Sequence, residues 1–171
     1  MRTALLLLPL MFQFLAAACA APGLPDDGLG AVAGVVDGDT VVIDLAGSSE
    51  SVRLLGIDTP ETVHPGRSPE CFGNQASVRM AELLLAGTSV IVTRDVEARD
   101  RYGRLLAYVA RVGDGLVVNR AMVAEGFAAT LHIDPNDGMR HELAAAETRA
   151  LADRRGLWAA CGGPHEPLSI G

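Results

Sequence analysis

Apolar residues crowd into two short runs near the start of the chain, residues 30–36 and 40–45, separated only by Asp37-Gly38-Asp39. An Asp-Gly between two apolar runs is a strong hairpin signal. Residues 46–50 read as a second turn and residues 51–57 as a third strand. Three strands in quick succession favour an antiparallel meander, because parallel pairs need long crossovers. Residues 64–70 hold two prolines and a glycine and read as a surface loop. From Asn74 the period changes: Ala76, Met80, Leu83 and Leu84 recur at helical spacing, with Gly87 placed to end the helix in a left-handed residue. Residues 89–96 and 105–112 return to a strand pattern on either side of a polar connection, 97–104. Residues 117–125 form a short amphipathic helix stopped by Gly126, residues 127–133 are extended, and residues 134–138 turn into a third helix, 140–155, ended by Gly156.

Five strands, one helix inserted after the third and two more at the end predict an α+β domain. The five-stranded oligonucleotide/oligosaccharide-binding (OB) barrel with three flanking helices fits this order. The pattern shows no internal repeat.

The chain has 171 residues, enough for one compact domain. Residues 1–20 have the pattern of an export signal: Arg2 is the only charge, residues 5–15 are nearly all apolar, and Ala16-Ala17-Ala18 follows. The apolar run is shorter than the roughly 20 residues a membrane-spanning helix needs. Cys19 leaves two exits open. Cleavage after Ala20 would remove it; a lipoprotein-type signal would place a lipid anchor on it. Residues 21–28 read as a linker, 29–161 as the domain and 162–171 as a flexible tail, in a protein that is secreted or lipid-anchored outside the cell. Cys71 and Cys161 are then the cysteines of the mature body. In an oxidising compartment an even pair implies a disulfide, two buried free thiols being the alternative.

The formal charge is −7, and all 14 basic residues are arginine. An acidic total argues against non-specific wrapping by a long polyanion, but not against a local arginine cluster. Such a cluster is centred on Arg53-Leu54-Leu55-Gly56-Ile57-Asp58-Thr59-Pro60-Glu61, a strand that breaks into a loop before the proline. Asp39, in the first hairpin, and Asp58, at the end of the third strand, can lie side by side in a meander. Paired carboxylates with a carbonyl and waters are the oxygen-rich environment calcium prefers. Asp37 fits plain turn chemistry better. Arg53 sits in an otherwise apolar strand, where a charge needs a cleft or a partner. Arg104 closes Asp100-Arg101-Tyr102-Gly103-Arg104 just before a strand. Two guanidinium forks can neutralise a phosphate whose charge builds in a phosphoryl-transfer transition state. Glu61 can take a proton from an attacking water or hold that water in line.

In order, Val36-Asp37-Gly38-Asp39-Thr40, the Arg53–Glu61 stretch, Asp100-Arg101-Tyr102-Gly103-Arg104-Leu105-Leu106-Ala107-Tyr108, Val118-Asn119-Arg120-Ala121-Met122-Val123-Ala124-Glu125-Gly126 and Gly156-Leu157-Trp158 resemble the staphylococcal nuclease family over roughly residues 30–160. The resemblance implies an OB-type barrel and a calcium-dependent phosphodiesterase, a hydrolase of DNA and RNA leaving 3′-phosphate ends. It assigns Asp39, Asp58 and the Thr59 carbonyl to Ca²⁺, Glu61 to the attacking water, Arg53 and Arg104 to the scissile phosphate, and Tyr102, Arg101 and His132 to the nucleotide. His132 stands where the family has a tyrosine, and the family's lysines around the phosphate-binding loop are missing. The competing reading is a catalytically silent OB module that binds nucleic acid or protein at the cell surface. A silent copy is expected to have lost one of Asp39, Arg53, Asp58, Glu61 or Arg104, and none is lost. No protein partner is implied, and a monomer is the default expectation.

Overall fold

A computed structural model describes residues 26–62 and 68–168. The expected export signal, most of the linker, residues 63–67 of the expected loop and the last three residues of the tail lie outside the described residues.

The strands are β1 (Asp26–Val35), β2 (Thr40–Leu45) and β3 (Ser48–Leu54), then a two-residue β4 (Ile57–Asp58), β5 (Ser89–Arg99), β6 (Leu105–Arg111) and a two-residue β7 (Ala129–Thr130). The helices are α1 (Gly73–Leu83) between β4 and β5, α2 (Val118–Ala124), α3 (Arg140–Ala152) and a single turn, α4 (Leu157–Ala160). Five strands close a barrel in the order β1-β2-β3-β6-β5, while β4 and β7 pair separately. The β1-β2-β3 meander is antiparallel, as the short connections require, and β1 returns antiparallel to β5 to complete the ring. The one parallel pairing, β3 with β6, sets Arg53 beside Leu106. The expected five-stranded OB-type α+β barrel is thus the observed fold.

Several boundaries differ from the sequence pattern: β1 begins at Asp26, so the last residues of the expected linker pair with β5, and the third helix ends at Ala152, with the separate turn α4 after it. The turn after β2 is only Ala46-Gly47, so β3 begins at Ser48 with residues that face away from the core. The third strand breaks at Leu55-Gly56 because Gly56 adopts φ 76°, and a Cβ there would stand 2.3 Å from Leu143 of α3. The polar connection is shorter than expected: Arg99 still pairs with Leu105, leaving 100–104 as the turn.

The core is filled by alternate barrel residues, among them Val41, Ile43, Val52, Leu54, Val90, Val92 and Val109. Met80 and Leu83 of α1, Val118 and Met122 of α2 and Leu143 of α3 pack against them. Among the described residues one polar side chain is wholly enclosed. Asn119 accepts a hydrogen bond from the Val109 N–H at 2.9 Å and donates to the carbonyls of Leu55 (2.8 Å) and Ala107 (3.3 Å). It thereby fixes the end of β3 to β6 at the point where Arg53 leaves the barrel.

Cys71 and Cys161 are joined, with Cα atoms 6.0 Å apart across 90 residues. Residues 165–168 of the segment expected to be a flexible tail are hydrogen-bonded to the residues before α1. Cys71 N–H donates to Glu166 O (2.8 Å) and Leu168 N–H to Pro69 O (3.0 Å).

Asn119→Ala is expected to lower unfolding stability by about 2–4 kcal/mol, since it takes the side-chain partner from the buried Leu55 carbonyl and Val109 N–H, whereas Ala107 O keeps the Leu55 N–H; urea titration of the purified variant reads this. Replacing both cysteines with serine is expected to cost up to about 4 kcal/mol in the chain-entropy description of so long a loop. The same titration with and without reductant checks it, and the double variant should show no response to reductant.

Candidate active site

Arg53 occupies a β3 position opposite Thr40 of β2 and is only 7% exposed. Its guanidinium would be costly to bury without acceptors, and four are supplied. Nη1 donates to Leu54 O (2.7 Å) and Ile57 O (2.8 Å). Nη2 reaches Asp39 Oδ2 at 3.0 Å and Asp58 Oδ1 at 3.2 Å. The two carboxylates that the strand pattern places side by side are therefore held together by one cation.

Each carboxylate arrives by a local device. At the hairpin tip Asp37 Oδ1 accepts the N–H groups of Asp39 (3.0 Å) and Thr40 (2.8 Å), the turn role its position suggests. Gly38 allows the tip to press on the loop after β4; a Cβ there would lie 2.6 Å from Thr59 Oγ1. Asp39 Oδ2 in turn accepts the Thr59 N–H and hydroxyl, both at 3.3 Å, and Thr40 Oγ1 donates to Asp39 Oδ1 at 3.0 Å. Asp58 is carried by β4, whose pairing with β7 sets it opposite Ala129.

The second arginine is positioned from the β5–β6 turn. Asp100 accepts the Arg104 side chain on Oδ2 (Nε, 2.7 Å) and the Arg104 and Tyr102 backbone N–H groups on Oδ1, both at 2.9 Å. Burial alone would raise the Asp100 carboxyl, but these donors outweigh it and hold it below the usual range. Arg104 Nη1 also donates to Thr40 Oγ1 at 3.3 Å. Thr40 thus links the two arginine sites, a bridge that sequence reasoning missed because a threonine after an Asp-Gly turn carries no chemical signal. The exposed Tyr102 ring lies 4.7 Å from the Arg101 guanidinium and 5.6 Å from that of Arg104. Arg53, Arg101, Tyr102 and Arg104 line one groove of about 390 Å³ with Leu131.

Glu61 is exposed, and its backbone is clamped to Glu70: Glu61 N–H donates to Glu70 Oε2 (3.0 Å) and Glu70 N–H to Glu61 O (2.9 Å). His132 is not in the groove. It lines a neighbouring cavity of about 260 Å³ with Thr130, Asn136 and Arg140, sharing only Leu131 with the first, and its Nε2 lies 2.7 Å from Asp134.

Burial pushes the Asp39 carboxyl up, against the lowering field of Arg53, to about 6. A carboxylate in that condition gains from added positive charge. Asp39 and Asp58 are oxygen donors of the kind a hard divalent cation takes, and Thr59, whose carbonyl is expected to join them, meets Asp39 through its N–H and hydroxyl. Among the described residues no group of three or more His, Cys, Asp or Glu side chains is arranged to hold a metal ion, so side chains alone do not complete such a set.

A family model described as "Staphylococcal nuclease homologue" matches residues 51–160. The chain is 39% identical over 124 residues to a protein named thermonuclease from Staphylococcus intermedius, with 72% of each chain covered. A thermonuclease of Staphylococcus hyicus is 32% identical over 124 residues, again with 72% of each covered. Endonuclease YncB of Bacillus subtilis (strain 168) is 34% identical over 128 residues, which span 74% of this chain and 60% of that one.

Asp39 binds its proton more tightly folded than unfolded, so between roughly pH 4 and 6 its ionisation works against the fold. In chelator, stability should fall as pH rises through that window, by a contribution on the order of a few kcal/mol. Asp39→Asn should remove this part of the decline and be at least as stable as the parent at neutral pH. Urea titrations from pH 4 to 7 test both.

Proposed function

The chain belongs to the staphylococcal nuclease family, and from that premise we propose that it is an exported, calcium-dependent nuclease that hydrolyses phosphodiester bonds of DNA and RNA to leave 3′-phosphate ends. The observation that carries this reading is the double engagement of Arg53. The same side chain holds the Asp39–Asp58 pair and lines the groove that contains Arg104 and Tyr102.

Asp39, Asp58 and the Thr59 carbonyl would hold the calcium ion, which when bound supplies positive charge beside the scissile phosphate. Arg53, whose Nη groups are already met within the protein, would act on the phosphate mainly through its positive charge, and Arg104 would offer hydrogen bonds to the non-bridging oxygens as charge builds on them. Their donors are fixed in advance by Asp39, Asp58, Asp100 and Thr40, so little reorganisation is needed as the reaction proceeds. Glu61 handles the attacking water, and the bond to the 5′ oxygen breaks. Tyr102 offers a ring face for a base, with Arg101 against it; this stacking is tolerant of sequence because every base presents a π-face. His132, in the adjacent cavity, would touch a neighbouring part of the strand. The groove gathers three arginines, with Glu97 and Asp100 among its other lining residues, on an acidic protein, which suits gripping one phosphate better than wrapping a duplex.

Residues 1–20 supply the export signal, and residues 29–161 the catalytic domain. The Cys71–Cys161 bond supports an oxidising compartment. No helix among the described residues is long and apolar enough to cross a membrane.

The protein lacking residues 1–20 is expected to degrade single-stranded DNA in calcium and to stop in excess chelator. Glu61→Gln should lower kcat about 10²–10⁴-fold while leaving DNA binding intact. Binding without cleavage at any calcium concentration would overturn the reading.

A further inference from the structure

The C-terminal segment reaches the site. The His165 ring spans two carboxylates, with Nε2 3.1 Å from Asp58 Oδ2 and Nδ1 3.1 Å from Glu70 Oε2. That same Glu70 oxygen accepts the Glu61 N–H. One short chain of contacts therefore runs Asp58–His165–Glu70–Glu61, joining the carboxylate assigned to the cation with the residue assigned to the water. Everything along it is anchored. The Cys71–Cys161 bond fixes the segment at one end, and beyond His165 the Cys71 N–H to Glu166 O and Leu168 N–H to Pro69 O hydrogen bonds fix the other. His165 has φ 60°, a left-handed backbone that non-glycine residues seldom adopt, and it turns the ring back between the two acids.

We propose that His165 and Glu70 are positioning residues of the active site, and that the C-terminal segment is a working part of it. The proposal rests on the calcium-nuclease reading above. Each Asp58 oxygen has a neighbour, Arg53 Nη2 donating to Oδ1 and the His165 Nε2 3.1 Å from Oδ2. With Arg53 alone, the carboxylate is free to turn into its one partner and away from Thr59. With His165 opposite, its torsion is set. Outer-shell partners of this kind orient metal-ligating carboxylates, and their loss typically weakens metal affinity about 10- to 100-fold. Glu70 has a second task. It clamps Glu61 by both backbone groups at the base of the loop that follows, so the His165–Glu70 pair sets the spacing between Asp58 and Glu61.

The experiment uses the protein lacking residues 1–20, with its disulfide intact. His165→Ala, His165→Gln and Glu70→Ala are compared with the parent by terbium luminescence titration, by calcium half-saturation of single-stranded DNA cleavage, and by thermal unfolding in chelator. His165→Ala is expected to weaken terbium binding about 10- to 100-fold and to raise the calcium half-saturation in step, with an unchanged unfolding midpoint. His165→Gln, which restores an N–H toward Asp58, should recover most of the loss. Glu70→Ala should lower kcat as well as terbium affinity, since it also releases Glu61. A His165→Ala protein that binds terbium as well as the parent, or more tightly, overturns the positioning role. Loss in His165→Ala that His165→Gln does not recover overturns it too. A parent that neither binds terbium nor cleaves DNA overturns the calcium-nuclease reading and this proposal with it; an active parent with an unaltered His165→Ala overturns only this proposal.

Discussion

A single buried guanidinium organises this molecule's chemistry. Arg53 has two carbonyls and two carboxylates as acceptors, and those four groups come from the hairpin tip, the end of β3 and the whole of β4. Removing such a charge from water is affordable only when every donor is met. The loop after β3 therefore has one way to lie: its carbonyls must point inward at Arg53, and Asp58 must follow them. The asymmetry of the cluster matters as much. Two acids share one cation in a place where water is scarce, and burial there, more than the field of Arg53, leaves Asp39 with a weakened acidity.

Around that centre the protein uses short-range rigidity rather than overall charge. Its formal charge is −7, yet the groove beside Arg53 also holds Arg101 and Arg104. Asp100 makes this possible by gripping Arg104 through two bonds, one to side chain and one to backbone, and the Tyr102 backbone through a third, within a five-residue turn. Thr40 then passes one contact to each side, accepting from Arg104 and donating to Asp39. The two halves of the site are fastened to each other through a hydroxyl.

The fold was legible because its signals are local. Asp37-Gly38 makes the hairpin, short connections make the meander, and the change of period at Asn74 marks the helix inserted between the meander and the last two barrel strands. The breaks at Ala46-Gly47 and Gly56 were harder, since a strand can run on through serines, and a glycine in an apolar run signals a bend without saying how sharp. At the site, Asp39, Arg53 and Asp58 announced themselves as charges where charges are expensive, and the structure brings them into contact. Thr40, Glu70 and His165 did not. A threonine after a turn, an acid in a proline-rich loop and a histidine in a tail look ordinary, and their placement depends on contacts across 64 to 95 residues of sequence. His132, expected at the nucleotide from its family position, lines the adjacent cavity that meets the groove at Leu131.

The closure of the barrel also orders events in time. β1 pairs with β5 and β3 with β6, so neither flank of the opening meander gains its partner until residues 89–111 are available. A chain emerging from its N-terminus spends that interval with two open strand edges, the arrangement most prone to pairing with other chains. Pairings between strands so far apart in sequence also place the domain among the slower folders of its size. Under the export proposed above, such late closure keeps the first third of the chain from locking into its final form until most of the rest has followed.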